Sequence, residues 1–132
     1  MRTVYVIEIA AKWHGEVAPG LPRARSCFYV GETRKPPSRR FQDHLEGRSQ
    51  RDRRRNLSGA VFKVMRKRQS GALLERGSDA RLRFGLMAGL DPVPDVERAE
   101  ALEALTIDRL RAEGHCVYPE GPGEIPFESY RP

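Results

Sequence analysis

The chain reads as an α/β protein of the α+β kind, a small, mainly antiparallel three-stranded sheet flanked by helices. Three observations predict it. Residues 3–10 and 26–30 are short runs rich in Val, Ile and Tyr, with the alternation of strands half-buried in a sheet. Residues 94–113 are a long run of strong helix formers with Pro94 at the start and Gly114 at the stop. The segments between them are rich in turn residues or charge, and cross a surface more readily than they fill a core.

From the N-terminus, the 3–10 strand puts Tyr5, Ile7 and Ile9 on one face. Residues 11–25 hold Trp13, His14, Gly15, Pro19, Gly20 and Pro22 and read as a loop. In the 26–30 strand Cys27 and Tyr29 share a face, and antiparallel pairing with the first strand brings both tyrosines to the same side. Gly31 ends this run and is expected to let the backbone turn. Pro36 and Pro37 then start a helix over 38–45, with Phe41 and Leu45 as its core contacts and Arg40 and His44, four apart, on one face. Residues 48–55 are too charged to pack. Asn56 or Ser58 can cap a helix over 59–68 that partly buries Val61, Phe62, Val64 and Met65. Residues 71–79 read as a loop, and 81–87 as a third strand with Leu82, Phe84 and Leu86 on one face. After the long helix, residues 116–118 either add a short strand or cover the core. Residues 119–132, with four prolines and two glycines, read as an extended tail.

At 132 residues the chain suits one domain, residues 1–118, with the 119–132 tail; such a domain buries about two-thirds of the surface its unfolded form exposes. Cys27 and Cys116 stand 89 positions apart, with no Cys-x-x-Cys pair, signal peptide or apolar run long enough to cross a bilayer. A soluble, reduced, cytoplasmic protein with no membrane partner is expected.

The net charge of +6 is unevenly spread. Residues 34–68 carry thirteen Lys or Arg against Asp43, Glu46 and Asp52, a balance of +10, whereas residues 91–132 carry ten acidic residues against four arginines, a balance of −6. Arg34, Lys35, Arg48, Arg51, Arg53, Arg54 and Arg55 form the first part of a track for a polyanion. Lys63, Arg66, Lys67 and Arg68 continue it, and there they also complement a helix dipole. The acidic C-terminal third is a candidate docking surface for a protein partner.

One carboxylate falls on an apolar stripe. Turned at about 100° per residue, the long helix aligns Val96, Ala99, Ile107 and Leu110, and Glu103 lies among them, with Glu100 at the edge and Glu97 pointing away. A buried carboxylate needs a partner, and Arg40 or a divalent cation with oxygen ligands would serve.

Thr3-Val4-Tyr5, Tyr29-Val30-Gly31, Arg40 with His44 one turn on, and a later helix glutamate occur in this order. The set resembles the GIY-YIG nuclease family over residues 3–118. The resemblance implies a metal-dependent endonuclease that hydrolyses DNA to 5′-phosphate and 3′-hydroxyl ends. Glu103, followed by Ile107, matches the family's metal-holding glutamate better than Glu100 does. Tyr5 would then take the proton from water and Tyr29 orient water or phosphate; His44, whose ordinary pKa is nearer neutrality, is the alternative base. The planar fork of Arg40 suits a phosphate oxygen, and a single carboxylate with several waters suits Mg²⁺, with Mn²⁺ as a substitute.

Three departures are plain: Thr3 stands for the family's first glycine, the first loop is longer, and the family's asparagine has no counterpart near residues 117–120. His14 and His115 lack the spacing of zinc ligands, and no serine or cysteine triad or phosphate-binding glycine loop is present. Trp13 either stacks on a base or packs the loop. With no separate reader domain, duplex or branched DNA bound with weak sequence preference or recognised by shape is the expected substrate. Cutting both strands would take a homodimer or two successive nicks. The rival readings are a non-catalytic nucleic-acid-binding module and a nuclease subunit of a larger complex.

Overall fold

A computed structural model describes residues 1–13, 27–47, 60–70 and 72–118. The 14–26 part of the first loop, the charged 48–55 segment and the proline-rich tail lie outside them. Among the described residues the chain is an α+β fold, with a four-stranded mixed sheet and three α-helices.

Strand β1 (Thr3–Ile9) is followed by a 3-10 turn at Ala11–Trp13 and then by β2 (Cys27–Thr33). The two strands pair antiparallel, with Tyr5 opposite Gly31, Ile7 opposite Tyr29 and Ile9 opposite Cys27. Helix α1 (Pro37–Glu46) opens with proline in its first turn and ends at Gly47, whose φ of 83° is the left-handed conformation that glycine adopts without steric cost. Helix α2 (Ala60–Arg68) and strand β3 (Ala80–Leu82) come next. Helix α3 (Val96–Ala112) is capped by Asp95, whose carboxylate accepts from the Arg98 amide at 2.8 Å. Strand β4 (Cys116–Val117) completes the sheet, in the order β3-β1-β2-β4.

Strand alternation sorts the core into two clusters. Tyr5, Ile7, Ile9, Cys27 and Tyr29 face α1 and α2, meeting Phe41, Leu45, Val61, Phe62 and Met65. Val4, Val6, Phe28 and Val30 face the other way, onto Ile107 and Leu110 of α3. With strands buried on both faces, β1 shows an almost unbroken apolar run instead of strict alternation.

Three expectations are corrected here. The sheet has four strands and is mixed, because β4 pairs parallel to β2. The third strand stops at Leu82: the Arg83 amide still donates to Val6 at 2.9 Å, but Phe84–Met87 turn into a 3-10 helix and leave Phe84 66% exposed. That turn brings Leu86 and Met87 against the second cluster, where a continued strand would have carried them along the edge of β1. The cysteines are not reduced: Cys27 and Cys116 are opposite each other in the β2–β4 pair, 4.7 Å apart at Cα, and are joined by a disulfide. Among the described residues no helix is long and apolar enough to cross a membrane.

Candidate active site

The site forms where the β1–β2 pair meets α1. Tyr5 rises from the central strand, and its hydroxyl lies 2.9 Å from Nε2 of His44, the α1 residue one turn beyond Arg40. The Tyr29 ring sits diagonally across the strand pair, 6.1 Å from that of Tyr5 between centroids. The side chains of Arg40 and Tyr29 both hydrogen-bond Tyr5. Gly31 makes room for this cluster: a β-carbon there would lie 2.5 Å from the Tyr5 hydroxyl and 2.7 Å from the ring carbon that bears it. Its purpose is close approach within a strand, not the turn that the sequence suggested.

His44 is fully buried. Phe62 of α2 stacks on the imidazole, 4.4 Å between centroids and 21° between planes, and Tyr29 meets it edge-on at 5.4 Å. Burial holds its pKa well below the ordinary histidine value, and the nearby charges of Arg40 and Arg66 act the same way. Burial also pushes the Tyr5 phenol up to about 12, against the charge and hydrogen bond of Arg40; the Glu103 carboxylate adds to the rise. Burial works against the Arg40 cation, but Tyr5, Tyr29 and Asp43 outweigh it and raise its pKa. The resting site at neutral pH therefore holds a guanidinium, a neutral phenol and a neutral imidazole.

Glu103 is buried on α3 beside Ala99, Thr106, Ile107 and Leu110, and its charge reaches Tyr5. The sequence-predicted residues Tyr5, Tyr29, Arg40 and His44 are thus brought together, with Glu103 near enough to act on the phenol. No cluster of three or more His, Cys, Asp or Glu that could hold a metal occurs among the described residues. A cation held by Glu103 alone would keep most of its waters, which suits Mg²⁺ and its reluctance to dehydrate.

Sequence reasoning passed over Asp43, Phe62 and the contact that Arg66 makes. Asp43 is buried on α1 and accepts from Lys35 Nζ at 2.6 Å, so it holds a second cation close to Arg40. Its spacing of three from Arg40 was the available signal. Arg66 donates to the His44 carbonyl and is half-buried. Arg34, Lys63, Lys67 and Arg68 are exposed, while Arg48, Arg51, Arg53, Arg54 and Arg55 lie outside the described residues. Trp13 is a packing residue: it is buried, and its ring N–H donates to Asp79 at 3.1 Å.

No family model, curated protein or solved structure matches the chain.

Proposed function

We propose that the protein is a metal-dependent endonuclease of the GIY-YIG kind, hydrolysing DNA phosphodiesters to 5′-phosphate and 3′-hydroxyl ends. The observation that carries this reading is the hydrogen-bonded cluster of Tyr5, Tyr29, Arg40 and His44 with Glu103 close by. Arg40 would grip a non-bridging oxygen of the scissile phosphate and hold against it the charge that builds up in the transition state. Tyr5, once it has lost its own proton to solvent, would accept a proton from water as that water's oxygen bonds to phosphorus and the bond to the 3′ oxygen breaks. Glu103 would hold Mg²⁺ or Mn²⁺, which when bound supplies positive charge for the leaving oxygen. Lys63, Lys67 and Arg68, together with the arginines of residues 48–55, would track the DNA backbone.

Nicking of supercoiled and branched DNA in Mg²⁺ tests this reading. Cleavage is expected with Mg²⁺ or Mn²⁺, none in chelator, and a loss on the order of a hundredfold or more in Glu103→Ala. Tight binding without cleavage in either cation would instead make the protein a nucleic-acid-binding module. Cleavage that appears only after co-purification with another chain would make it a subunit.

A further inference from the structure

The 2.9 Å contact between the Tyr5 hydroxyl and His44 Nε2 has two proton arrangements with opposite chemical meanings. In one, Tyr5 donates and Nε2 is a bare acceptor, able to relay a proton away from the phenol. In the other, Nε2–H donates, and the imidazole can only position the phenol. The rest of the ring decides between them. Nδ1 is buried and has no hydrogen-bond partner among the described residues. The first arrangement leaves an N–H there with no acceptor; the second leaves only a lone pair. Buried N–H groups without a partner are the rarer of the two.

The neighbours agree. Arg40 can only donate, so one lone pair of Tyr5 is already filled by a cation. If His44 also donates, the second lone pair of the neutral phenol is filled, and its own proton is left to turn toward Tyr29, the third polar neighbour. If His44 instead took a proton, an imidazolium would form in a fully buried place beside Arg40, with Arg66 bound to its carbonyl and Phe62 stacked on its face. Burial and both cations oppose that charge.

We propose that His44 is held in the Nε2–H tautomer and donates to the Tyr5 oxygen, making it a positioning residue that steadies the phenolate and never acts as the base. The consequence for the reaction rests on the nuclease reading above; the tautomer itself does not.

Long-range proton–nitrogen NMR of the labelled full chain without DNA reads the tautomer directly, with the His44 signals assigned by their loss in His44→Gln. The proton is expected on Nε2, with Nδ1 showing the shift of an unprotonated imine nitrogen. A proton on Nδ1 overturns the proposal, whether or not the protein cuts DNA. In cleavage, His44→Gln offers an N–H but cannot relay a proton. It is expected to keep kcat within about tenfold of the parent, with KM and the acidic limb of the pH profile unchanged, while His44→Leu loses on the order of a hundredfold. Equal, large losses in both variants together with a vanished acidic limb would make His44 the base. If His44→Leu does not fold, the parent's spectrum and the glutamine variant still decide the matter. A chain that cuts no DNA but carries the proton on Nε2 sinks the nuclease reading and leaves the tautomer standing.

Discussion

The Tyr5 hydroxyl lies 2.5 Å from the point where a β-carbon on Gly31 would stand, so the two residues paired across β1 and β2 share one side chain between them. The ring lies over bare backbone and is fixed there by Arg40, Tyr29 and His44.

Gly31→Ala should therefore displace the phenol. No end of a flexible side chain is available to give way, since the ring carbon that bears the hydroxyl is itself 2.7 Å from the new methyl. Unfolding in denaturant should show a loss of about 1–3 kcal/mol, the usual range for overpacking. Cleavage should fall even at temperatures where the variant is fully folded. Parent-like stability and turnover would mean that Tyr5 has another place to lie.

Arg40→Lys tests the fork geometry separately from the charge. An ammonium keeps the cation but cannot offer two parallel N–H groups to a phosphate or reach Tyr5 in the same way. Single-turnover cleavage should fall on the order of a hundredfold in both Arg40→Lys and Arg40→Ala. Full activity in the lysine variant would reduce the role of Arg40 to point charge.

The raised pKa of Tyr5 makes a prediction about alkaline stability. The folded state keeps the phenolic proton up to about pH 12, whereas the unfolded chain releases it near 10.0. Between those values the native state holds more protons, so stability falls as pH rises. The contribution is complete below pH 10 and is roughly 3 kcal/mol at most. Tyr5→Phe should lack this part of the decline, as read from denaturant midpoints of the two proteins across that window. An equal decline in both would place the burden on other groups.

His44 predicts the opposite limb. Its native pKa is held well below the ordinary histidine value of 6.5, by burial first and then by Arg40 and Arg66. Its contribution is present above that value and is lost as pH falls, because the unfolded chain takes up the proton first. Relative to His44→Gln, the parent should lose stability progressively below pH 6.5. A constant gap between the two would show that the imidazole takes up its proton as readily in the folded chain as in the unfolded one.

The exposed cations of α2 give a test that needs no chemistry. Replacing Lys63, Lys67 and Arg68 by Ala should weaken duplex binding for all sequences alike. Each phosphate contact removed should flatten the log–log salt slope by roughly 0.9. An unchanged affinity and slope would make these residues plain solvated surface.

Much of this arrangement was legible in the sequence because it depends on period. Alternation put Tyr5 and Tyr29 on one face, a spacing of four aligned Arg40 with His44, and the helical stripe singled out Glu103 as a buried acid. What stayed hidden depends on partners far along the chain. Phe62 looks like any apolar residue of a short helix until α2 packs against α1 and lays the ring on His44. Gly31 reads as a turn until the register sets it opposite Tyr5. Leu82, Phe84 and Leu86 alternate like a strand, but the chain leaves the edge of β1 after Leu82. The pairing of Cys27 with Cys116 follows from β4 lying parallel to β2, which no local signal specifies.

The bond between those cysteines gives the chain the connectivity of a ring with an arm on either side. The stretch from Cys27 to Cys116 is the ring; β1, which carries Tyr5, is on the N-terminal arm. A protease cut anywhere between the two cysteines opens the ring but releases nothing, so the cleaved protein should run as one species on a gel until thiol is added. A cut ahead of Cys27 detaches that arm covalently, leaving a central strand of the sheet and its phenol held by ladder hydrogen bonds, packing on both faces and side-chain contacts such as Tyr5 with His44 and Arg2 with Glu32. A peptide spanning that strand should then be exchangeable with a synthetic one, which allows an unnatural tyrosine to be placed in the site without re-expressing the rest of the chain.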